Sequence, residues 1–196
     1  FWPALGAEFL NWDDYGTITT NERFRGLDPT RLQWMFTTGL MGHYQPLAWV
    51  TLAIDHTFWG MRPFGYHLTN VLLHALNAVL VGVLAHRLMR LARGTSAAPA
   101  PNALAAVLAA TLAALLFGVH PMRVESVAWI TERRDVLSTF FALLCVRAHL
   151  RFAGLLARGH AASARRWYFA SLAMLLLAML SKAIVVVLPA ALLALD

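Results

Sequence analysis

Residues 65–85, GYHLTNVLLHALNAVLVGVLA, decide the fold of this chain. They carry no charged side chain, and a helix of about twenty residues rising 1.5 Å per residue crosses a hydrocarbon core of roughly 30 Å. Outward from this first span, 65–86, the pattern recurs. Almost pure Ala, Leu and Val fill 102–119, a third apolar run covers 136–153, and a fourth covers 167–196. The fourth is interrupted by Ser181-Lys182 and again by Pro189, which leaves two readings: one tilted span, or a span followed by the start of another. The expected fold is all-α, a multi-spanning membrane helical bundle forming a single membrane domain over 1–196. Composition agrees, with 59% hydrophobic and only 13% charged residues, where a soluble domain carries about 25% charged. A lipid-facing surface explains that deficit; a globular core does not.

Residues 1–64 are different. They hold six acidic and four basic side chains and no long apolar run. Leu32–Leu40 and Pro46–Trp59 are short and Trp-rich, and Trp34, Trp49 and Trp59 are expected at headgroup level. The expectation is a first loop of short helices lying on or dipping into the interface.

Charge sets the orientation. Segments 85–101 and 146–167 hold eight arginines, Arg87, Arg90 and Arg93 among them, and no acid. Segments 1–64 and 120–135 hold nine of the ten acids and seven bases. Short Lys/Arg-rich loops stay cytoplasmic, so residues 1–64, the 120–135 loop and Lys182 are expected on the non-cytoplasmic side. The formal charge of +6 and the pI near 10.4 would suit nucleic acid. The positive charges sit at the ends of apolar runs instead, so no nucleic-acid partner is expected. The single cysteine, Cys145, lies inside an apolar run and excludes an intrachain disulfide or a Cys-based metal site. No signal-peptide pattern is present. The chain starts at Phe1 and stops at Asp196 directly after an apolar run, so flanking segments are expected.

Four places carry candidate chemistry. In Asn11-Trp12-Asp13-Asp14-Tyr15 two adjacent carboxylates repel, and partial burial raises at least one pKa. Such a pair serves as general base, hydroxyl acceptor or cation ligand, although Asp-Asp-Tyr-Gly is also good turn chemistry. The second is His120-Pro121 through Ser138, where Glu125, Trp129, Glu132 and Arg133 fall at helical spacing. Arg133 and Arg134 at the head of a span suit a lipid phosphate, or else pair within an interfacial helix. The third is the stripe His67, Asn70, His74 and Asn77 on one helical face. His67 and His74 stand two turns, roughly 10 Å, apart, too far for one metal ion, so hydrogen bonding between helices is the better reading. The fourth is Lys182. An ammonium in hydrocarbon costs roughly 2.5–3.5 kcal/mol, so it needs a carboxylate or anionic ligand unless it snorkels to the outer interface.

Together these segments resemble one family. Asn11-Trp12-Asp13-Asp14, Gln45-Pro46-Leu47-Ala48-Trp49, Gly65 to Asn70, Leu73-His74-Ala75-Leu76-Asn77, His120-Pro121, Val124 to Trp129, Glu132 to Ser138, Ser181-Lys182 and Val187-Leu188-Pro189 look like the N-terminal membrane region of transmembrane, tetratricopeptide-repeat O-mannosyltransferases and their bacterial relatives. The resemblance implies a GT-C-like glycosyltransferase fold, with the acidic motif in the first extracytoplasmic loop. By it Asp13 and Asp14 are the catalytic pair, with Asp13 as base. Arg133, Arg134 and Lys182 would bind the phosphate of a polyprenyl-phosphate donor, and His120, Glu125, His67 and His74 would support them. It implies inverting transfer of mannose or a related sugar to a protein or glycan hydroxyl, with no metal and no other cofactor. Partners would be the lipid-linked sugar donor, the acceptor and membrane lipid, and the location a bacterial inner membrane with the site on its periplasmic face. The chain departs from the family at Tyr66, where a histidine is common, at Arg123, and at Ala183, where proline follows the lysine. The family's first span, later spans and repeats are absent from this stretch.

Two other readings stay open on the sequence. One is a non-enzymatic membrane scaffold, with the acidic loop as turn chemistry and the stripe as helix glue. The other is a transporter, since intramembrane His and Lys mark translocation paths. Against transport, the polar groups gather on one side and no internal repeat is visible.

Overall fold

The computed structural model describes residues 1–92 and 103–193. Arg93, the Gly94–Pro101 linker, Asn102, and Ala194, Leu195 and Asp196 of the fourth run lie outside the described residues. Among the described residues eight α-helices follow one another: α1 Pro29–Thr37, α2 Pro46–Trp59, α3 Pro63–Ala92, α4 Ala103–Val119, α5 Val124–Ala128, α6 Arg133–Leu156, α7 Ala161–Ser181 and α8 Leu188–Leu193. Among the described residues there is no β-strand, so the all-α bundle holds.

Two of the helical stretches, Pro63–Leu91 and Ile130–Leu156, are long and apolar enough to cross a membrane. Only 28% and 33% of their most apolar windows are buried, as lipid-facing surfaces require. A third crossing is added if α4 and Pro121–Ala128, bent by 53° to each other, form one broken span. Helix α7 carries Arg165 and Arg166 in its second turn, so its apolar part from Trp167 to Ser181 is only about 22 Å long. At Lys182 the backbone turns extended, φ −155° and ψ 120°. The fourth apolar run is therefore broken at the lysine. Pro189 falls in the first turn of α8, where its missing N–H is harmless.

Helix α3 packs antiparallel to α4 and parallel to α6, and α6 packs antiparallel to α7. The seam between α3 and α4 is made of small residues. A Cβ on Gly82 would lie 3.1 Å from the Ala114 Cβ and 3.2 Å from the Ala110 carbonyl oxygen, and one on Gly118 would lie 3.4 Å from that of Ala78. Helices in lipid gain close van der Waals contact this way, because no hydrophobic effect drives them together.

Residues 1–62 form a cap over one end of the bundle. Proline at the first turn starts α1 and α2, and Asp28 caps α1 by accepting from the Arg31 N–H at 3.2 Å. The cap has its own apolar core of Ile18, Phe24, Met35, Trp49, Leu52 and Ala53, joined by Tyr66 and Ile130 from the bundle. Trp49 is thus core rather than headgroup ligand, with Phe24 and Trp34 against it at 6.1 and 5.2 Å between ring centroids. Exposed aromatics of the cap are Trp2, Trp12, Tyr15, Phe36, Tyr44 and Phe58. At Gly65 a Cβ would collide with the Trp59 indole, which lies across the start of α3.

Candidate active site at the cap end of the bundle

The two adjacent aspartates take different roles. Asp14 is fully buried. Its Oδ1 accepts from the Thr131 N–H at 3.0 Å and the Thr131 hydroxyl at 2.5 Å, and its Oδ2 accepts from the Leu10 N–H at 3.0 Å. It clasps the cap to the loop that heads α6. Asp13 is half-buried and makes no hydrogen bond or ion pair among the described residues. Of the pair, only Asp13 has a carboxylate open to a ligand.

The two adjacent arginines divide in the same way. Arg133 is 0% exposed. Its guanidinium donates to Asp55 Oδ2 at 2.6 Å, to the Tyr66 carbonyl at 2.9 Å and to Asn70 Oδ1. Thr69 donates to the other oxygen of Asp55 at 2.7 Å. Arg133 therefore ties α2, α3 and α6 together and does not open towards a donor phosphate, which corrects the role expected for it. Asp55 had no part in the sequence reading. Its signal was a carboxylate inside the apolar run Pro46–Trp59, since a charge buried there demands a partner.

Arg134 begins a chain of charges along the mouth of the bundle. It donates to Glu132 Oε1, by Nε at 3.0 Å and by Nη2. Lys182 Nζ donates to Glu132 Oε2 at 3.0 Å and to Asp135 Oδ1 at 2.9 Å. Arg123 completes the chain 3.9 Å from Asp135 Oδ2. Three cations thus alternate with two carboxylates, leaving a local excess of one positive charge. The extended break after α7 places Lys182 here, and its partner is carboxylate, as one sequence reading required. Exposure rises along the chain, from 9% for the Arg134 side chain to 28% for Lys182 and 37% for Arg123.

His43 faces this group and was also missed by sequence reasoning, because nothing in its local sequence marks it. Partial burial, and then the Arg134 guanidinium and Lys182, hold it below the usual histidine range, while Glu132 and Asp13 pull the other way. Asp13, Glu132, Arg134 and Lys182 therefore all lie within electrostatic reach of one imidazole.

The remaining expected residues fall at varying distance from this cluster. The stripe on α3 points inward, with His67, Asn70, His74 and Asn77 all buried. Asn70 donates to the Val127 and Trp129 carbonyls at 3.2 Å each, and Asn77 to the Val136 carbonyl at 2.8 Å. His74 Nε2 lies 3.0 Å from the Gly118 carbonyl. Neither ring nitrogen of His67 meets hydrogen-bond geometry with a neighbour. Three of the four thus join helices, as the spacing predicts. His120 is exposed, and its Nδ1 accepts from the Met122 N–H at 3.2 Å. Glu125 is exposed on α5. The expected alternating face from Glu125 to Arg133 is not continuous, because Trp129 is extended (φ −91°, ψ 118°) and separates α5 from the 3-10 turn Ile130–Glu132.

A bundle with lipid-facing helices and a charged, capped mouth defines an all-helical integral membrane protein. In sequence the chain is similar to protein O-mannosyl-transferases. Protein O-mannosyl-transferase TMTC2 of Homo sapiens is 29% identical over 176 residues, 86% of this chain and 19% of the relative. TMTC1 of Homo sapiens is 30% identical over 159 residues, 76% of this chain and 16% of the relative. TMTC4 of Homo sapiens is 38% identical over 106 residues, 52% of this chain and 14% of the relative. The resemblance read from the motifs is borne out. The chain spans less than a fifth of the length of these relatives. No protein-family profile and no solved structure matches it.

Proposed function

We propose that this chain forms the catalytic membrane region of a glycosyltransferase. It would move a sugar, mannose or a close relative, from a polyprenyl-phosphate donor to a hydroxyl of a protein or glycan acceptor on the non-cytoplasmic face, the periplasmic face of a bacterial inner membrane. The observation that carries this reading is the unpartnered Asp13 carboxylate, next to a mouth of net positive charge, in a chain similar to named O-mannosyl-transferases. In the reaction Asp13 takes the proton of the acceptor hydroxyl. The acceptor oxygen forms its bond to the sugar C1 as the bond from C1 to the phosphate oxygen breaks, and the polyprenyl phosphate leaves with the electron pair. Attack opposite the leaving group inverts C1.

Charge develops on the departing phosphate, where fixed cations act best. Lys182 and Arg123 are the more exposed cations of the chain. Arg134 is held to Glu132 and keeps that carboxylate from neutralising Lys182 alone. Asp14 and Arg133 fix the loop and helix on which these groups stand. His74 and Asn77 fix α3 beneath them.

The test is sugar transfer from a lipid-linked donor by the full-length protein carrying Asp13→Asn. Loss of a general base lowers the rate by about 10²–10⁴-fold, with donor binding retained. Undiminished transfer would leave the scaffold reading in possession. This chain spans under a fifth of the length of its relatives, so acceptor choice is tested only in the full-length protein.

A further inference from the structure

The opposite end of the bundle holds a second charged feature that the transfer reaction does not use. A cleft of about 470 Å³ opens between α3 and α6, lined by His86, Arg87, Arg90, Arg151, Gly154 and Arg158 among others. Four arginines and a histidine face one space. Among the described residues no carboxylate lines it, and the sequence segments that make this end, 85–101 and 146–167, contain no acid at all. Like charges at this density repel unless an anion joins them.

The cleft is built rather than incidental. Arg87 donates through Nη2 to the Leu150 carbonyl at 2.5 Å, which freezes the guanidinium across the helix seam, while its buried Nε has no partner. Gly154 forms the floor, and a Cβ there would lie 3.7 Å from Arg87 Nη2. Arg151 is steadied by the Trp167 ring, 5.8 Å from its centroid. Arg90 is exposed, and the rim beside it is apolar, with Val83 and Leu91. A polar anion-binding floor with an apolar rim on the lipid side matches an amphiphile, whose head is a phosphate and whose tail is acyl chain.

We propose that this cleft binds the phosphate headgroup of an anionic membrane lipid in the leaflet opposite the transfer site. Arginine supplies planar donor pairs to phosphate oxygens, and the missing carboxylates mean that the lipid meets no internal competitor. The lipid closes the seam between α3 and α6 where no ion pair does.

The experiment uses the full-length protein in phosphatidylcholine nanodiscs with a titrated fraction of phosphatidylglycerol, reading retained lipid by native mass spectrometry. Wild type retains phosphatidylglycerol over phosphatidylcholine. The variant Arg90→Gln/Arg151→Gln/Arg158→Gln, which spares the structural Arg87, loses about a hundredfold in apparent affinity, since each arginine near an anionic lipid is worth about fivefold. A second variant, Gly154→Leu, keeps every charge and fills the floor. It also loses the lipid if the cleft is the site. Inorganic phosphate at about a thousandfold excess leaves retention unchanged for a lipid ligand; full displacement by it assigns the cleft to a free phosphate compound and overturns the lipid. Equal retention of the two lipids by wild type, or unchanged retention by both variants, overturns the site itself.

Discussion

The two ends of the bundle follow opposite electrostatic plans. At the cap end the buried charges meet opposite charge: Arg133 with Asp55, Arg134 and Lys182 with Glu132, Lys182 with Asp135. All of these pairs except Arg134 with Glu132, two positions apart, join elements far apart in the chain, as does the Asp14 clasp on Thr131, 117 positions away. At the other end Arg87, Arg90, Arg151 and Arg158 gather without a single acid, and the helices meet through the Leu150 carbonyl and small residues. The difference teaches that charge in this protein has two uses. Neutralised pairs build a rigid frame around one half-free carboxylate. Unneutralised arginines mark a leaflet and wait for an anion.

The comparison breaks most decisively at Arg133. Arg133→Gln leaves Asp55 buried without its cation, and removing one partner of a buried pair costs about 3–5 kcal/mol. Thermal unfolding of the protein in detergent should show it as the largest loss of stability of any single change. Next in size is Asp14→Asn. The amide keeps one acceptor but turns a donor towards the Leu10 or Thr131 N–H, at about 1–3 kcal/mol, and part of the activity should return at low temperature. Asp13→Asn should leave the same melting curve unmoved, which separates frame from chemistry. Overpacking the α3–α4 seam by Gly82→Leu should cost a similar 1–3 kcal/mol, measured by the same melt, without altering donor binding.

Smaller effects sharpen the picture. Partial burial and Arg134 hold His43 below the usual histidine range, so the folded protein favours its neutral form. As pH falls below about 6.5, the ordinary histidine value, proton uptake adds positive charge beside Asp13, and transfer activity declines. In His43→Gln that acid limb should shift by no more than a few-fold in rate. An unchanged pH profile would remove His43 from the site. The smallest effect belongs to the arginine end. Arg158→Gln should change stability by no more than about 0.5 kcal/mol, because no acid there depends on it.

Much of this was legible without coordinates. The spans at 65–86, 102–119 and 136–153 lie within or close to α3, α4 and α6, because an apolar run of that length leaves the backbone no other way to satisfy itself in lipid. The helical period set the inward face of His67, Asn70, His74 and Asn77. The break at Lys182 was visible as a charge inside an apolar run.

What the amino-acid order determined by itself was periodicity and the sorting of charge, which are local properties of neighbours along the chain. Which aspartate is clasped and which is open, which arginine is frame and which belongs to the mouth, and that Asp55 and His43 matter at all, only the tertiary structure decided. Those assignments depend on partners tens of positions away, brought together by packing, and adjacent residues of the same type carry no local mark of which will be enclosed.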